Sequence, residues 1–349
     1  MSQPAAPYFE RAVFREVMAI CTEHGLRCQT DEYGNLIVRL QEKPRARPVV
    51  LAAHMDHPGF ELLRRLDNKR WLARFHGGVP DSYFRPGVPV RLMQGNRPAK
   101  LGRRHGRPAV FELRETGRPA GAEQVARPTF AVWDLPDFKS AGGQIAGRSC
   151  DDLIGVASIL AALIELKKRR SPAHVIGLIS RAEEIGFKGA LTLAAAAWIP
   201  KRALVISLET SKELPPVRMG EGVIVRVGDR TSIFDSQATR YLTEIARQMQ
   251  GTGLKWQRAL MSGGTCEATA YQEFGYQTCA VCVALGNYHN CAPKNRIASE
   301  YIAIRDALAM VDLLVQAARR ISAFDTITGG LIRRLHTGLR IARRELKKR

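Results

Sequence analysis

The chain has 349 residues, of which 45% are hydrophobic and 25% are charged. This composition is typical of a globular protein and excludes a disordered or fibrous chain, and the length allows one large domain or two ordinary ones. The formal net charge of +20 raises the question of an anionic partner.

The N-terminus, "MSQPAAPYFERAVFREV", lacks a basic start followed by an apolar core, so we expect no signal peptide. No apolar run approaches the roughly 20 residues that a membrane span needs. The seven cysteines lack the spacing of a small disulfide scaffold, which favours reduced thiols in a cytosol. We therefore expect a soluble, cytoplasmic protein.

The first 60 residues predict a helix over about residues 8–25 and two strands, in "DEYGNLIVRL" and "PVVLAAHMDH". From residue 61 to 144 Pro, Gly and Arg become frequent, apolar runs shorten and helical periodicity disappears. These changes predict a small β-barrel domain with many turns, inserted into a larger domain.

Strands and helices alternate after residue 145. The predicted segments are "LIGVASILAALIELKKRR" (helix), "HVIGLIS" (strand), "GALTLAAAAW" (helix), "ALVISLE" (strand), "QATRYLTEIARQMQ" (helix), "CEATAYQEF" (helix), "TCAVCVAL" (strand) and "SEYIAIRDALAMVDLLVQAARRI" (helix). This pattern predicts an α/β fold with a mostly parallel sheet covered by helices on both faces. Cys279 and Cys282 lie three apart in a predicted strand and point to opposite faces, so we expect two buried, inert thiols.

The positive charge is concentrated in two places. Residues 61–144 carry 16 Lys/Arg against 8 Asp/Glu, and residues 331–349 carry 8 against 1. The tail, residues 326–349, is a predicted basic helix with Leu331, Leu335, Leu339, Ala342 and Leu346 along one side. We expect a solvated face or an arm that packs in an oligomer; contact with nucleic acid or an anionic membrane is the less favoured alternative.

Ligands of parallel α/β sheets bind beyond the carboxyl ends of the strands. In this chain every such position carries a carboxylate or an imidazole. The residues are His54 and Asp56 after the second predicted strand, Glu183 and Glu184, Glu209, His289, and Asp151 and Asp152 before a long helix.

Each of these residues alone has an ordinary structural explanation. Asp151 or Asp152 could cap a helix, His54 could be a hydrogen-bonded core histidine, and Glu209 could pair with Lys212. It is much less probable that all five positions carry such residues by coincidence than that any one of them does. Two imidazoles and several carboxylates match what Zn²⁺, Co²⁺ or Mn²⁺ accept in a hydrolytic site.

The ordered motifs "AAHMDHPGF", "SCDDLIG", "AEEIGFKGA", "SLETS" and "NYHNCAP" resemble the M42 family of dinuclear metallo-aminopeptidases, which includes glutamyl and tetrahedral aminopeptidases. More distantly they resemble the wider M20 and M28 zinc-peptidase clan. The resemblance covers nearly the whole chain and implies a zinc-exopeptidase-like fold. It also implies two divalent ions, with Zn²⁺ the expected metal and Co²⁺ or Mn²⁺ as alternatives.

The resemblance implies the site residues position by position. His54 would bind one metal and His289 the other, Asp151 would bridge them, and Glu184 and Glu209 would each complete one of the two coordination spheres. Metal-activated water would attack the peptide carbonyl, and residues would be removed from the N-terminus. Glu183 would act as general base, Asp56 would accept the second N–H of His54, and Asp152 would orient its neighbour.

The sequence departs from the family pattern at three points. Glu209 stands where the family usually has Asp, and "HMDH" replaces "HMDE", which adds His57 outside the ligand set. The family's "GGTD" becomes "GGTC", formed by Gly263, Gly264, Thr265 and Cys266. Cys266 thus replaces a carboxylate near the substrate cleft, which leaves the substrate preference open.

Two alternatives to the aminopeptidase remain. One is a metal-dependent deacylase or carboxypeptidase of the same clan; the other is a degenerate member that binds partners through its basic surfaces. Family members assemble through the inserted domain, so the resemblance also implies a homo-oligomer and a peptide substrate.

Overall fold

The structure, a computed structural model, describes residues 1–41, 43–93, 95–106, 109–117, 129–196 and 198–347. The strands are β1 (Arg27–Thr30), β2 (Leu36–Gln41), β3 (Val49–His54), β4 (Gly59–Arg65), β5 (Arg70–His76), β6 (Pro89–Leu92), β7 (Arg97–Arg104), β8 (Val110–Glu115), β9 (Phe130–Trp133), β10 (Phe138–Ala141), β11 (Gln144–Gly147), β12 (His174–Ser180), β13 (Leu204–Lys212), β14 (Val223–Gly228), β15 (Trp256–Leu260), β16 (Gln277–Leu285), β17 (Cys291–Ala292), β18 (Arg296–Ile297) and β19 (Glu300–Ala303). The α-helices are α1 (Arg11–Glu23), α2 (Cys150–Lys168), α3 (Lys188–Ala195), α4 (Ser236–Met249), α5 (Glu267–Glu273), α6 (Ile304–Arg320), α7 (Phe324–Thr328) and α8 (Gly330–Leu346).

An eight-stranded sheet in the order β1-β2-β12-β3-β13-β16-β14-β15 forms the larger core. The four adjacent strands β12, β3, β13 and β16 run parallel. In β3 all six residues are buried, as expected for a strand covered on both faces. Val49 and Leu51 pack in the cluster that includes α1, α2, α4 and α6, whereas Val50 and Ala52 pack in the cluster that includes α3 and α5. The predicted α/β fold class is confirmed.

Strands β4 to β9 form a closed antiparallel barrel in the order β4-β5-β8-β7-β6-β9. Its interior is aromatic, and Phe60 contacts Phe75, Phe111 and Trp133 edge to face. The barrel predicted from the short apolar runs is therefore present. After it the chain returns to the larger core through β10 and β11, and β11 pairs with β19.

Two details of the predicted elements are wrong. The segment from residue 299, predicted as helix throughout, begins with strand β19, because its first residues pair with β11 before α6 starts at Ile304. Strands β14 and β15 were not predicted: β15 has no continuous apolar run, whereas β14 has the same pattern of apolar residues and one arginine as β2 and was missed.

Other local predictions are confirmed. Cys279 and Cys282 are free, fully buried thiols that belong to different apolar clusters on the two faces of β16. The tail forms helix α8. None of the helices among the described residues has the length and apolar character that a membrane crossing requires.

Candidate metal centre

The parallel strands bring the polar residues of the constellation to one edge of the sheet. His54 is the last residue of β3 and is aligned with Ser180, the last residue of β12. Glu209 lies in β13, which continues to Lys212, so it precedes the strand end rather than forming it. His289 follows β16, and Asp151 lies in the first turn of α2.

The adjacent glutamates Glu183 and Glu184 occupy a short turn between two residues with left-handed backbone. Ala182 has φ 52° and Gly186 has φ 100°, a conformation that favours glycine at the second position. The Asp56 carboxylate accepts the backbone N–H groups of both glutamates, at 2.9 Å and 3.1 Å. This turn therefore presents two neighbouring carboxylates to the same centre.

Asp151 stands between the two histidines. Its Oδ1 lies 3.4 Å from His54 Nε2, and its Oδ2 lies 3.5 Å from His289 Nε2. Ligand atoms lie within 4.8 Å of one another in three groups. These are His54–Asp151–Glu209, Asp151–Glu184–His289 and His54–Glu183–Glu184. The first two groups share Asp151, and together they contain the five residues that the resemblance implies as ligands.

The carboxylates of these two groups fit cations better than they fit hydrogen-bond donors. Asp151 Oδ1, Glu184 Oε1 and Glu209 Oε1 are buried and accept no hydrogen bond of standard geometry within the described part of the chain. Imidazole nitrogens nevertheless lie 3.4 Å from Asp151 Oδ1 and 3.3 Å from Glu184 Oε1. A buried carboxylate oxygen without a partner is destabilising. Divalent cations would supply the missing partners for all three.

Electrostatics supports the same interpretation. Burial raises the pKa of Glu209 to about 8, and repulsion from Asp151 adds to the rise. Burial also raises the pKa of Glu183 well above its ordinary value, against the opposing effect of His54. For Asp151, burial is outweighed by the histidines His289 and His54, which lower its pKa. The carboxylates cannot all ionise together without added positive charge.

The histidine orientations depend on backbone carbonyl groups. His54 Nδ1 lies 3.1 Å from the carbonyl oxygen of Asp56 and 3.6 Å from its carboxylate, the predicted acceptor. His289 Nδ1 lies 2.8 Å from the carbonyl oxygen of Gly78, in the segment after β5. The barrel side of the molecule therefore helps to position one of the two imidazoles.

The remaining predicted residues lie around the two groups. His57 contacts the Asp151 carbonyl at 2.8 Å and Asn290 Oδ1 at 2.9 Å, so both ring nitrogens face other partners. Asp152 accepts the backbone N–H of Gly155 at 3.1 Å, in the manner of a helix cap. Gly263, Gly264, Thr265 and Cys266 line a cavity beside Glu209.

Glu300 is a buried residue at the centre that the sequence analysis missed. One carboxylate oxygen accepts the backbone N–H of Asp151 at 3.0 Å, and the other accepts that of His289 at 2.8 Å. No local pattern marks this residue, because it lies in β19 within a segment that reads as helix.

Arg226 is the second residue that was missed. It is 3% exposed and lines the cavity that contains Glu209 and Cys266. Nη1 donates to Ser211 Oγ at 3.2 Å, whereas Nε has no hydrogen-bond partner in the described chain. An arginine inside an unpredicted strand was the only available signal.

The fold and this edge cluster are those of a peptidase, and the sequence profile described as M42 glutamyl aminopeptidase matches residues 120–313. That match covers more than half of the chain. The protein belongs to the M42 family and is a peptide hydrolase. M42 peptidases are metal-dependent aminopeptidases, in agreement with the donor set described above.

Solved structures share this fold across nearly the whole chain. The TET1 peptidase of Pyrococcus horikoshii is 23% identical, with TM-score 0.72, and the match covers 90% of this chain and 96% of that one. An aminopeptidase from Desulfurococcus kamchatkensis is 19% identical, with TM-score 0.75 and coverage of 95% and 96%. Yeast aminopeptidase 1 is 12% identical, with TM-score 0.63 and coverage of 92% and 95%. At these identities the similarities establish the fold alone.

Proposed function

We propose that this protein is an aminopeptidase that holds two divalent cations, Zn²⁺ before Co²⁺ or Mn²⁺, and removes acidic residues from peptide N-termini. The observation that carries the dinuclear assignment is the set of three buried oxygens on Asp151, Glu184 and Glu209 that accept no hydrogen bond of standard geometry within the described chain. His54 and Glu209 would hold one ion, His289 and Glu184 the other, and Asp151 would contact both.

When bound, such cations polarise the peptide carbonyl and lower the pKa of bound water. The protein supplies the proton transfer. Glu183 lies 3.9 Å from His54 Nε2, is 9% exposed and belongs to neither of the two groups assigned to the ions. Glu183 therefore accepts a proton from the attacking water and returns it to the departing amine.

Asp56 positions this base. By accepting the N–H groups of Glu183 and Glu184, it fixes the turn from which both carboxylates extend. As the family resemblance implies, the charged free α-amino group of a peptide would bind close to the ions. An N-acylated peptide lacks that charge.

Arg226 supports the preference for an acidic first residue. Asp229, the nearest acidic candidate in sequence, is already engaged: one oxygen accepts the N–H groups of Thr231 and Ser232, and the other accepts Cys266 N–H and Thr269 O–H. Arg226 forms no ion pair with any carboxylate of the described residues. A buried guanidinium is most stable with a direct ion pair, and a carboxylate of the substrate side chain would supply one.

Lys212 adds a second positive charge to the same cavity. It is exposed at the end of β13 and lines the cavity with Arg226 and Tyr288. Because Cys266 replaces the family carboxylate, the side chains of Lys212 and Arg226 have no additional negative neighbour at that position. An acidic side chain therefore complements the cavity better than a basic one.

The experiment is a substrate panel on chelated protein reconstituted with Zn²⁺, Co²⁺ or Mn²⁺. We expect two ions per chain, cleavage of glutamyl and aspartyl anilides above leucyl and lysyl anilides, and no cleavage of N-acetyl-glutamyl anilide. Cleavage of acylated substrates alone would instead identify the deacylase or carboxypeptidase. Bound metal without cleavage of any substrate would favour the alternative of a degenerate family member that acts as a binding protein.

Arg226→Gln tests the acidic preference separately. We expect kcat/KM for glutamyl anilide to fall about 10- to 100-fold, as for loss of a charged hydrogen bond, with leucyl anilide changed by less than about threefold. Arg226→Lys is the charge-retaining control and should keep part of the preference. Equal losses on both anilides would refute the role of Arg226 while leaving the aminopeptidase assignment intact.

The barrel region, residues 61–144, is proposed as a unit for oligomerisation and substrate access, separate from the catalytic domain formed by residues 1–60 and 145–325. The TET1 peptidase of Pyrococcus horikoshii assembles into a tetrahedron or a large octahedral shell, which supports a homo-oligomer for this chain. A cytoplasmic location is proposed from the seven cysteines, which are all free thiols, as is usual in a reducing compartment. Sedimentation of the intact protein tests the assembly.

A further inference from the structure

Helix α8 is an amphipathic segment that the peptidase function does not use. None of its residues, Gly330 to Leu346, is buried. Among the described residues, the side-chain hydrogen bond from α8 to a preceding element is the one from Arg333 to the carbonyl oxygen of Thr326, at 2.9 Å. Ile332, Leu335 and Leu339 are 51%, 59% and 45% exposed. The helix is therefore an uncovered surface about 25 Å long.

Ile341, which is 52% exposed, lies on another side of α8, but the other six of its seven apolar side chains form one continuous stripe. At 100° per residue they fall within an arc of about 100° along the helix. They are Leu331, Ile332, Leu335, Leu339, Ala342 and Leu346. By contrast, the neighbouring helix α6 buries its apolar side, including Leu313 and Leu314, against the sheet.

The opposite arc of α8 is basic. It carries Arg333, His336, Arg340, Arg343 and Arg344, followed by Lys347. Glu345 is the one acidic residue of the segment 331–349, against eight Lys and Arg. The helix thus combines high amphipathicity with a strong single-sign charge.

We propose that α8 binds the surface of an anionic lipid bilayer, with its apolar stripe inserted and its arginines at the lipid headgroups. This arrangement uses both arcs of the helix, as interfacial helices do. The negative leaflet supplies the charge that the segment lacks. The peptidase domain would then be held at the membrane without crossing it.

The two rival partners each leave one arc unexplained. A second copy of α8 could cover the apolar stripe, whose spacing of three and four residues also suits helix pairing. However, it would bring together two segments that each carry eight Lys and Arg against one acid. A nucleic acid would neutralise the arginines but would not need the stripe, and α8 has no aromatic side chain for base stacking.

The test measures co-flotation of the full-length protein with phosphatidylcholine vesicles, with and without phosphatidylglycerol. We expect binding to the anionic vesicles alone and weakening by salt. The triple variant Arg340→Gln/Arg343→Gln/Arg344→Gln should lower the partition on the order of a hundredfold. The double variant Leu335→Ser/Leu339→Ser should lower it about tenfold or more without any change of charge.

The matched control is Arg27→Gln/Lys168→Gln/Arg258→Gln, which removes three exposed charges elsewhere on the surface. It should change the partition by less than about twofold, and all variants should keep the wild-type peptidase activity, which verifies folding. Failure of the wild type to bind anionic vesicles would overturn the proposal. Equal loss of vesicle binding in the α8 arginine variant and in the control variant would also overturn it, and so would full vesicle binding by Leu335→Ser/Leu339→Ser.

Oligomeric mass and RNA binding distinguish the rivals. If Leu335→Ser/Leu339→Ser lowers the sedimentation mass but leaves vesicle binding unchanged, the stripe covers a second copy and the proposal is wrong. If RNA binds at physiological salt and competes fully with vesicles, and Leu335→Ser/Leu339→Ser keeps both RNA binding and vesicle binding, the partner is nucleic acid. Unchanged mass together with loss of vesicle binding supports the membrane assignment.

Discussion

The edge of the eight-stranded sheet and the interior of the barrel are both buried, but they contain opposite chemistries. The barrel interior is filled by aromatic rings such as Phe60 and Trp133, which need no partner beyond van der Waals contact. The sheet edge is filled by carboxylates and imidazoles, several of them without donors. The first arrangement stabilises the fold by itself, whereas the second requires cations and substrate.

The same distinction appears in how each region is built. The barrel side chains come from neighbouring strands of one short segment, and their alternation follows the strand period. The edge residues come from β3, α2, β12, β13 and β16, which are far apart in the chain. Their distances depend on the register of the whole sheet.

The largest effect is expected for Glu183→Gln. We expect kcat to fall about 10³-fold, because the amide cannot accept the proton, while the bound metal measured by mass spectrometry stays at the wild-type level. Asp67→Asn, an exposed change on the barrel, is the control. Loss of metal in Glu183→Gln would instead place this glutamate among the ligands.

Phe60→Ala tests the barrel side of the comparison. The ring is fully buried among three aromatic partners, so its loss should lower the free energy of unfolding by about 3–5 kcal/mol. Phe138→Ala, at a ring that is 48% exposed, should cost less than about 1 kcal/mol. Urea unfolding followed by tryptophan fluorescence measures both; equal costs would contradict the packing argument.

Glu267 tests the cost of a buried carboxyl that is not assigned to a metal. Burial raises its pKa from 4.5 to about 7, against the opposing effect of His54, and Ser180 donates a hydrogen bond to it. A raised folded-state pKa contributes stability at low pH that is lost as pH rises through about 7. The free energy of unfolding of the wild type should therefore decline by about 3 kcal/mol over this range because of Glu267, and this decline should be absent in Glu267→Gln.

The measurement is chemical unfolding of both proteins at matched metal content, from below pH 4.5 to above pH 7. The stability difference between variant and wild type should grow as pH rises. A constant difference would show that Glu267 ionises in the folded state as easily as in water.

Glu300→Gln is expected to have the smallest effect. The amide can accept only one of the two backbone N–H groups of Asp151 and His289, so metal affinity should fall about 10- to 100-fold. Competition with a chelator measures this affinity. Glu300→Asp, which keeps both acceptors on a shorter arm, is the conservative control; unchanged affinity in Glu300→Gln would remove Glu300 from the positioning role.

Much of this organisation was accessible from local sequence. Alternating apolar strands and helices identified the α/β core, and shortened apolar runs identified the barrel. The strand β19 was misread because its four residues directly precede the apolar periodicity of α6, and its strand conformation is evident only from the pairing with β11. Likewise β15 lacks a continuous apolar run, with Ala259 as its one buried residue.

The sequence by itself determined the order of the motifs, the residue types at the strand ends and the two arcs of α8, because these depend on period and local composition. Only the tertiary structure decided that Asp151 lies between His54 and His289. It also placed the Glu300 carboxylate under the backbone of Asp151 and His289, and Arg226 in the cavity beside Glu209. These contacts join residues far apart in the chain, and sheet register and close packing, which no local pattern encodes, set their distances.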